Sequence, residues 1–369
     1  MSTPDPGPSQ PLDGPVLVVG AGLLGTSVGL ALQARGIDVV MRDVNEENLR
    51  TASGLGAGTP ANGRHDPVQL VVVAVPPDHL AAAIAEALTT TDAVVTDVGS
   101  VKSEPLTRVA ELVPGEALGR YVGSHPMAGS ERSGPLAASS LLFDGRPWAV
   151  APHAGSSPEA IALVAALVEA CGATVFSFSP EEHDAAVART SHVPHVMAAL
   201  VAGALADAPA EHLSLSGQGV RDVTRIAAGD PALWQQILTA NSGALAVLLR
   251  EVRRNLDSVL EALDEGSQDR LGEVLRDVLG RGVAGTASIP GKHGGPPVPE
   301  TGVFVGVPDH PGELARLFGD VGDSGVNVED VRIDHDPGRP VGLVEITVAE
   351  DRAAHLRTSL EARGWSVHG

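Results

Sequence analysis

The stretch PVLVVGAGLLGTSVGLALQARG (Pro15–Gly36) decides the fold. VLVV is an unbroken apolar run, which suits a strand buried on both faces of a parallel sheet. Gly20, Gly22 and Gly25 follow it, and an apolar segment of helical character comes next. Glycines at this spacing allow a tight turn, a close backbone approach to a pyrophosphate and close helix–strand packing. The helix N-terminus adds N–H groups and partial positive charge. The next strand, IDVVMRD, ends at Asp43, an acid about 20 residues on, where the dinucleotide fingerprint needs one for the ribose hydroxyls. Gly20, Gly22, Leu23, Leu24, Gly25 and Asp43 are therefore the candidate cofactor contacts. Asp43 favours NAD because a carboxylate repels a 2′-phosphate, while Arg42 beside it leaves NADP open. The alternative is a glycine turn in an α/β fold with no cofactor.

Working outward, further apolar runs read as strands at Leu70–Pro76, Ala93–Ser100, Arg120–Pro126, Arg146–Pro152 and Ala173–Ser179. Helical segments rich in Ala and Leu lie between most of them. This alternation predicts an α/β Rossmann-type doubly wound sheet, mostly parallel, over residues 15–180. Strand signals stop after that. Residues 181–281 read as an all-α domain of the kind that often continues into a dimer interface. Residues 282–300 are rich in Gly and Pro and read as a linker. From 301 to 369 the order is βαββαβ, the ferredoxin-like arrangement. Residues 1–14 read as a disordered tail and not as a signal peptide, since neither a basic nor an apolar region is present.

The totals exclude several classes. A net charge of −21 argues against nucleic acid or an anionic membrane as partner, and any anionic substrate then needs a local cluster of Arg and His. No run approaches the ~20 apolar residues of a membrane span. Cys171 is the one cysteine, so no disulfide can form within the chain, and a reducing, cytoplasmic setting fits. The two lysines, Lys102 and Lys292, stand out against a background of arginine.

Two further loops carry candidate chemistry. TDVGSVKSE (Thr96–Glu104) follows a strand, at the edge where doubly wound sheets bind ligands, so Ser100 and Lys102 are expected to face the cofactor–substrate crevice, with Ser100 a further candidate cofactor contact. The alternative is a polar turn with Ser100 or Ser103 capping a helix. His125 follows the next strand in VGSHPMAGSERSG (Val122–Gly134). An imidazole there can take a proton from a substrate hydroxyl while hydride leaves the same carbon. A satisfied surface histidine is the competing reading.

DVGSVKS, GSHPMAGSERSG, SHVPH and RDVTRIAAGDPALW, in this order behind GAGLLG, resemble prephenate dehydrogenases over residues 15 to 281. The tail, with PDHPGELARL and GVNVEDV in a βαββαβ frame, resembles an ACT domain. The resemblance implies NAD-dependent oxidative decarboxylation of prephenate to 4-hydroxyphenylpyruvate, in tyrosine biosynthesis. It makes His125 the proton acceptor, with Ser100 hydrogen-bonding His125 or the substrate hydroxyl. Arg225 would clamp a substrate carboxylate, unless it merely pairs with Asp222 on a helix surface. His195 would line the pocket, and Glu131 would gate or polarise it or else remain a solvated loop acid. Trp234 reads as packing and Asp184 as a helix-start residue. His192 and His195 are spaced for a metal pair but lack a Cys or carboxylate partner, so no metal is expected. An ACT tail implies an amino-acid effector, tyrosine being the natural candidate, with Asp309, Gly312, Asn327 and Val328 as its contacts. The role of Lys292 and His293 in the linker is not legible. A homodimer is expected.

Three other readings compete. Arogenate dehydrogenase would use the same catalytic residues on an amino-acid side chain. A hydroxyacid or imine dehydrogenase predicts a lysine on the first long helix after the sheet, and the segment Glu181–Leu205 has none. A non-catalytic NAD and amino-acid sensor would not need His125, Ser100 and Arg225 together.

Overall fold

The computed structural model describes residues 11–61, 67–129, 132–290, 299–334 and 341–368. The chain forms two compact units, one ending at Arg253 and the other starting at Arg254, so the boundary falls inside the helix Ser242–Asp264.

The first unit is built on five parallel strands: β1 (Val16–Val19), β2 (Val39–Arg42), β3 (Thr59–Pro60), β4 (Leu70–Val73) and β5 (Val94–Asp97). Their order in the sheet is β3-β2-β1-β4-β5. The chain starts in the middle, winds outward through β2 and β3, then crosses to β4 on the other side of β1. That reversal opens a crevice beyond the carboxyl ends of β1 and β4. Alternate residues serve opposite faces. Val16, Val18, Leu70 and Val72 pack with Val28, Leu32, Leu163 and Leu167 on one face. Val19, Val71, Val73 and Val95 pack with Ile84, Leu88 and Val109 on the other. This two-sided burial is why the strands carry no polar alternation.

A second sheet follows, made of β6 (Gly123–Pro126), β7 (Pro147–Ala151) and β8 (Thr174–Ser177). β6 runs antiparallel to β7, and β7 parallel to β8. The expected single, mostly parallel sheet is thus divided. A parallel bridge between Val95 and Tyr121 joins the two: Val95 N donates to Arg120 O (2.9 Å) and Val122 N to Val95 O (3.0 Å). His125 lies within β6, opposite Ala149, and not in a loop after a strand as the sequence suggested.

The segment expected as one helix from Glu181 to Leu205 is interrupted. Ser179 caps the helix Pro180–Val187 through a capping box with Glu182. One π turn, Ala188–His192, leads into the helix Val193–Gly203. Pro194 has no N–H to bond the carbonyl one turn back, and the ladder slips so that Val193 N reaches Ala188 O. Further along, the helix Pro231–Ala240 is capped by Asp230, and Gln236 on it accepts from Asp78 N at 3.4 Å. Among the described residues, no single helix is long and apolar enough to cross a membrane.

Two sequence boundaries shift. Pro11–Gly14, expected in the disordered tail, are tied down. Gln69 Oε1 accepts from Asp13 N and Gly14 N (3.1 and 2.8 Å), Gln69 Nε2 donates to Pro11 O (3.1 Å), and Leu12 is buried. The expected linker from Gly282 starts later, because the helix Gln268–Ala287 runs through Gly282 and Gly285. Lys292 and His293 lie outside the described residues.

The second unit holds the end of that long helix, the helix Gln268–Ala287 and a four-stranded antiparallel sheet. Its strands are β9 (Glu300–Pro308), β10 (Asp330–Asp334), β11 (Val341–Ala349) and β12 (Ser366–His368), in the order β10-β11-β9-β12. Helices Glu313–Asp323 and Glu350–Ala362 intervene, giving the order βαββαβ. Val303, Val305, Val307, Val344, Ile346 and Val348 alternate inward against Leu317, Val321, Leu356 and Leu360.

Candidate active site

The glycine loop is shaped for a ligand. Gly20 has φ +106°, and a Cβ there would sit 2.3 Å from Ala74 O. A Cβ on Gly25 would sit 1.9 Å from Gly20 O, so the first turn of the helix Leu23–Gln33 packs directly on the loop. A Cβ on Gly22 would meet no protein atom. The space in front of Gly22, at the helix N-terminus, is therefore left for a ligand, and the first turn carries no acid to repel an anion. The Asp43 carboxylate accepts from Ala21 N (2.5 Å) and Asn45 N (2.6 Å), which fixes it at the end of β2 beside the loop. Arg42, which left NADP open, is engaged by Glu86 at 3.0 Å. These residues fit a dinucleotide with free ribose hydroxyls.

Beyond β5 lies a buried polar cluster. Lys102 Nζ donates to Asp97 Oδ1 in a short ion pair and to Ser124 O at 2.7 Å. Tyr121 OH donates to Asp97 Oδ2 at 2.8 Å, and Gly99 N to Asp97 Oδ1 at 2.7 Å. Burial pulls the Lys102 ammonium below its ordinary range, and Asp97 pulls it back. Burial, and then the Asp97 charge, push the Tyr121 phenol well up. This cluster ties the Ser100 loop to β6. Lys102, expected from sequence to face the crevice, is instead buried against Asp97 and Ser124, because its ammonium needs the carboxylate once the loop closes over it; its partners Asp97 and Tyr121 were missed.

His125 is half-buried on β6, and its Nδ1 lies 3.0 Å from His183 Nε2. His183 Nδ1 in turn lies 2.9 Å from Asp184 Oδ1. Asp184 also accepts from Lys102 N (2.8 Å) and Ser103 N (2.9 Å), and its carbonyl accepts from Asn241 Nδ2 (2.8 Å). Asp184 was read as a helix-start residue. Ser179 performs that cap, and Asp184 instead holds the start of the helix Ser103–Leu112. Burial alone would raise its pKa, but hydrogen bonds from His183, Ser103 and Lys102 outweigh it and hold the carboxyl low. Burial is the largest cause that lowers His125 well below the ordinary imidazole range, followed by His183, Lys102 and His192.

His195 and Trp234 pack face to face. Their rings stack at 3.6 Å and 11°, and His192 meets the same indole edge-on at 6.3 Å. A Cβ on Gly229 would lie 2.6 Å from Trp234 Nε1 and 3.3 Å from His195 Cε1, so this glycine is what lets the indole sit flat on the imidazole. Trp234 packs as expected, but against a site residue. His195 Nδ1 is buried without a hydrogen-bond partner among the described residues. His192 Nδ1 is 3.1 Å from Asn241 Nδ2, and burial lowers its pKa to about 4. Burial lowers His195 as well.

Other expected residues fare differently. Ser100 is half-buried and makes no side-chain hydrogen bond among the described residues, so of its two expected partners the bond to His125 is not made, and His183 lies against His125 Nδ1. Arg225 is exposed at the end of the helix Gln218–Arg225, and Asp222 accepts from Gln218 Nε2 (2.8 Å) and not from Arg225. Glu131 lies outside the described residues. The four effector candidates do not converge within one chain. Asp309 follows the end of β9, whereas Asn327 and Val328 lead into β10, where Asp330 and Gly302 both pair with Thr347 near the start of β9. Those ends are separated by on the order of 20 Å of extended strand.

Comparison with known proteins places this geometry. The family model described as prephenate dehydrogenase, nucleotide-binding domain, matches residues 28–177, and the one described as prephenate dehydrogenase, dimerization domain, matches residues 179–277. A probable prephenate dehydrogenase of Streptomyces niveus is 37% identical over 362 residues, covering 95% of this chain and 99% of its own. The solved prephenate dehydrogenase of Aquifex aeolicus, in complex with hydroxyphenyl propionate and NAD+, aligns with a TM-score of 0.65 at 26% identity, covering 75% of this chain and 99% of that one. Synechocystis arogenate dehydrogenase aligns with a TM-score of 0.61 at 25% identity, covering 72% and 98%.

Four outcomes are expected. Gly25→Ala forces backbone apart and lowers stability by at least ~1–3 kcal/mol. Gly22→Ala leaves the denaturation midpoint unchanged and raises the Kd for NAD+ about tenfold or more, as read by calorimetry. Asp97→Asn leaves the Lys102 ammonium buried without its counter-charge, and urea denaturation should register a loss of ~3–5 kcal/mol. For pH, the folded state resists protonating His125, His192 and His195 while the unfolded chain titrates them near 6.5. Stability is therefore full above that value and declines as pH falls toward the folded value of about 4 at His192. The melting temperature should drop between pH 7 and pH 4.5, and a flat profile would contradict the buried neutral cluster.

Proposed function

The chain belongs to the prephenate dehydrogenase family, and from that premise we propose which of its residues carry the reaction. It is an NAD-dependent dehydrogenase that converts prephenate to 4-hydroxyphenylpyruvate and carbon dioxide. Bound NAD+ supplies the hydride acceptor. The glycine loop and the N-terminus of the helix Leu23–Gln33 would hold its pyrophosphate, and Asp43 its ribose.

The observation that carries the assignment is His125 itself. Its Nδ1 is occupied by His183, and its Nε2 has no hydrogen-bond partner among the described residues. Burial keeps the ring unprotonated at neutral pH. Nε2 takes the proton of the substrate's ring hydroxyl as hydride leaves the same carbon. The ring carboxylate then departs as carbon dioxide, and its bonding electrons complete the aromatic ring. His125 returns the proton to the phenolic oxygen, so the reaction needs no net proton. Ser100, with its hydroxyl unengaged, orients the substrate hydroxyl. The unpartnered Nδ1 of His195 and the exposed guanidinium of Arg225 suit the two substrate carboxylates. Excluding water matters because an unprotonated imidazole and an anionic substrate must meet without competing solvent.

The tail is proposed as an ACT-type regulatory domain that responds to an amino acid, tyrosine first. The βαββαβ order of its helices and antiparallel strands supports this. A homodimer is supported by the dimerization-domain match and by exposed apolar rows at helical spacing, Leu256, Leu260 and Leu263, then Leu275, Leu279 and Val283. The cytoplasm suits a chain with one buried cysteine.

Initial rates of NADH formation test these assignments, with prephenate or arogenate as substrate, NAD+ or NADP+ as cofactor, and tyrosine present or absent. Turnover of prephenate with NAD+ is expected, and it should fall when tyrosine is added. Turnover of arogenate alone would replace the substrate and keep the chemistry. His125→Asn should bind NAD+ normally and lose ~10²–10⁴-fold in kcat. Unchanged kcat would remove His125 from the mechanism.

A further inference from the structure

The structure orders two more residues behind His125, and we propose that His183 and Asp184 are positioning residues that set the tautomer of the base. The inference rests on the assignment of His125 above. The Asp184 carboxylate can only accept, so the proton of His183 sits on Nδ1, which lies 2.9 Å from Asp184 Oδ1. A His183 ring with one proton then offers a lone pair at Nε2. That atom lies 3.0 Å from His125 Nδ1, so His125 must donate from Nδ1. The lone pair of His125 is thereby placed on Nε2, the atom that has to take the substrate proton. One carboxylate fixes two rings in series.

The anchoring of Asp184 strengthens this argument. Lys102 N and Ser103 N donate to its two oxygens, and Asn241 Nδ2 donates to its carbonyl. The carboxylate therefore cannot rotate away from His183 without breaking the start of the helix that follows the Ser100 loop. The same group sets the position of Ser100 and the tautomer of His125. When His125 gains the substrate proton at Nε2, its Nδ1–H remains bonded to His183, whose Nδ1–H remains bonded to the carboxylate. The developing positive charge faces an anion through one intervening ring, and no proton has to pass along the chain. The groups facing the pair are Lys102 and His192, both unfavourable to an added proton, and Asp184, which favours one. A further proton taken up by the pair before substrate binds would occupy His125 Nε2, the free lone pair, and block it.

Two experiments on the full chain decide it. In the ¹⁵N-histidine-labelled protein at pH 8, with His125 assigned by its loss in His125→Asn, Nδ1 should give a protonated-type signal and Nε2 an unprotonated-type signal. The reverse pattern overturns the proposal, and this readout stands even if the enzyme turns over neither prephenate nor arogenate, an outcome that would sink the functional assignment alone. In kinetics, His183→Leu removes the acceptor, whereas His183→Gln keeps one in its amide oxygen. The Leu variant should lose about 100-fold or more in kcat, with KM and the Kd for NAD+ within about twofold, and the Gln variant should stay within about tenfold of the parent. Equal losses in the two variants would reduce His183 to packing. In the Gln variant the acidic limb of the kcat–pH profile should also move, and an unmoved limb would count against the pair.

Discussion

The ion pair between Lys102 and Asp97 is the constraint on which the rest of the site depends. Both side chains are fully removed from water, which is costly unless every polar atom is met. Asp97 closes β5 and receives the ammonium, the Tyr121 phenol and Gly99 N. The ammonium then reaches across to Ser124 O on β6. One charge pair therefore joins the cofactor sheet, the Ser100 loop and the strand bearing His125. Apolar residues of equal volume could fill the space, but they would not hold the carbonyl of Ser124 and the turn at Gly99 in register with each other. Here the pair serves positioning more than stability.

The sequence made some of this legible and hid the rest, for physical reasons. β1 and β4 were readable because burial on both faces leaves an uninterrupted apolar run. The glycine loop was readable because Gly20 and Gly25 sit where a Cβ would strike backbone. His125 was found by its place after a strand signal, but its setting was misjudged, since antiparallel pairing with β7 depends on a partner more than twenty residues away. His183 and Asp184 were passed over because a polar dipeptide in the first turns of a helix ordinarily caps it. That Asp184 reaches Lys102 and Ser103 is a long-range fact without local trace. The spacing of the effector quartet was hidden in the same way: proximity to turns was legible, but the strand register that puts Asp309 and Asn327 at opposite ends of the sheet within one chain was not.

Charge raises a second issue. A chain with a net charge of −21 must admit a substrate with two carboxylates. The interior of the site resolves this by holding almost no free negative charge. Asp97 and Asp184 are each saturated by donors, and His125, His192 and His195 are kept neutral by burial. Arg225, proposed above for a substrate carboxylate, carries its positive charge on an exposed helix end. Neutral imidazoles accept or donate without repelling an anion, which suits chemistry that returns its own proton.

The π turn at Ala188–His192 completes the design. Pro194 removes an N–H from the ladder, and the turn widens where two histidines flank it. An uninterrupted α-helix would advance each residue by 100°, carrying His183 and His192 through fixed relative directions. The extra residue in the turn changes that phase, so His183 faces β6 and His125 while His192 and His195 both face Trp234. A single helical segment thus presents one imidazole to His125 and two to Trp234. Gly229 allows the indole to lie flat against them, and Asn241 fixes His192 from behind while also holding the Asp184 carbonyl. The irregular backbone and the buried polar network act together: the turn supplies the directions, hydrogen bonds hold His183 and His192, and stacking on Trp234 holds His195.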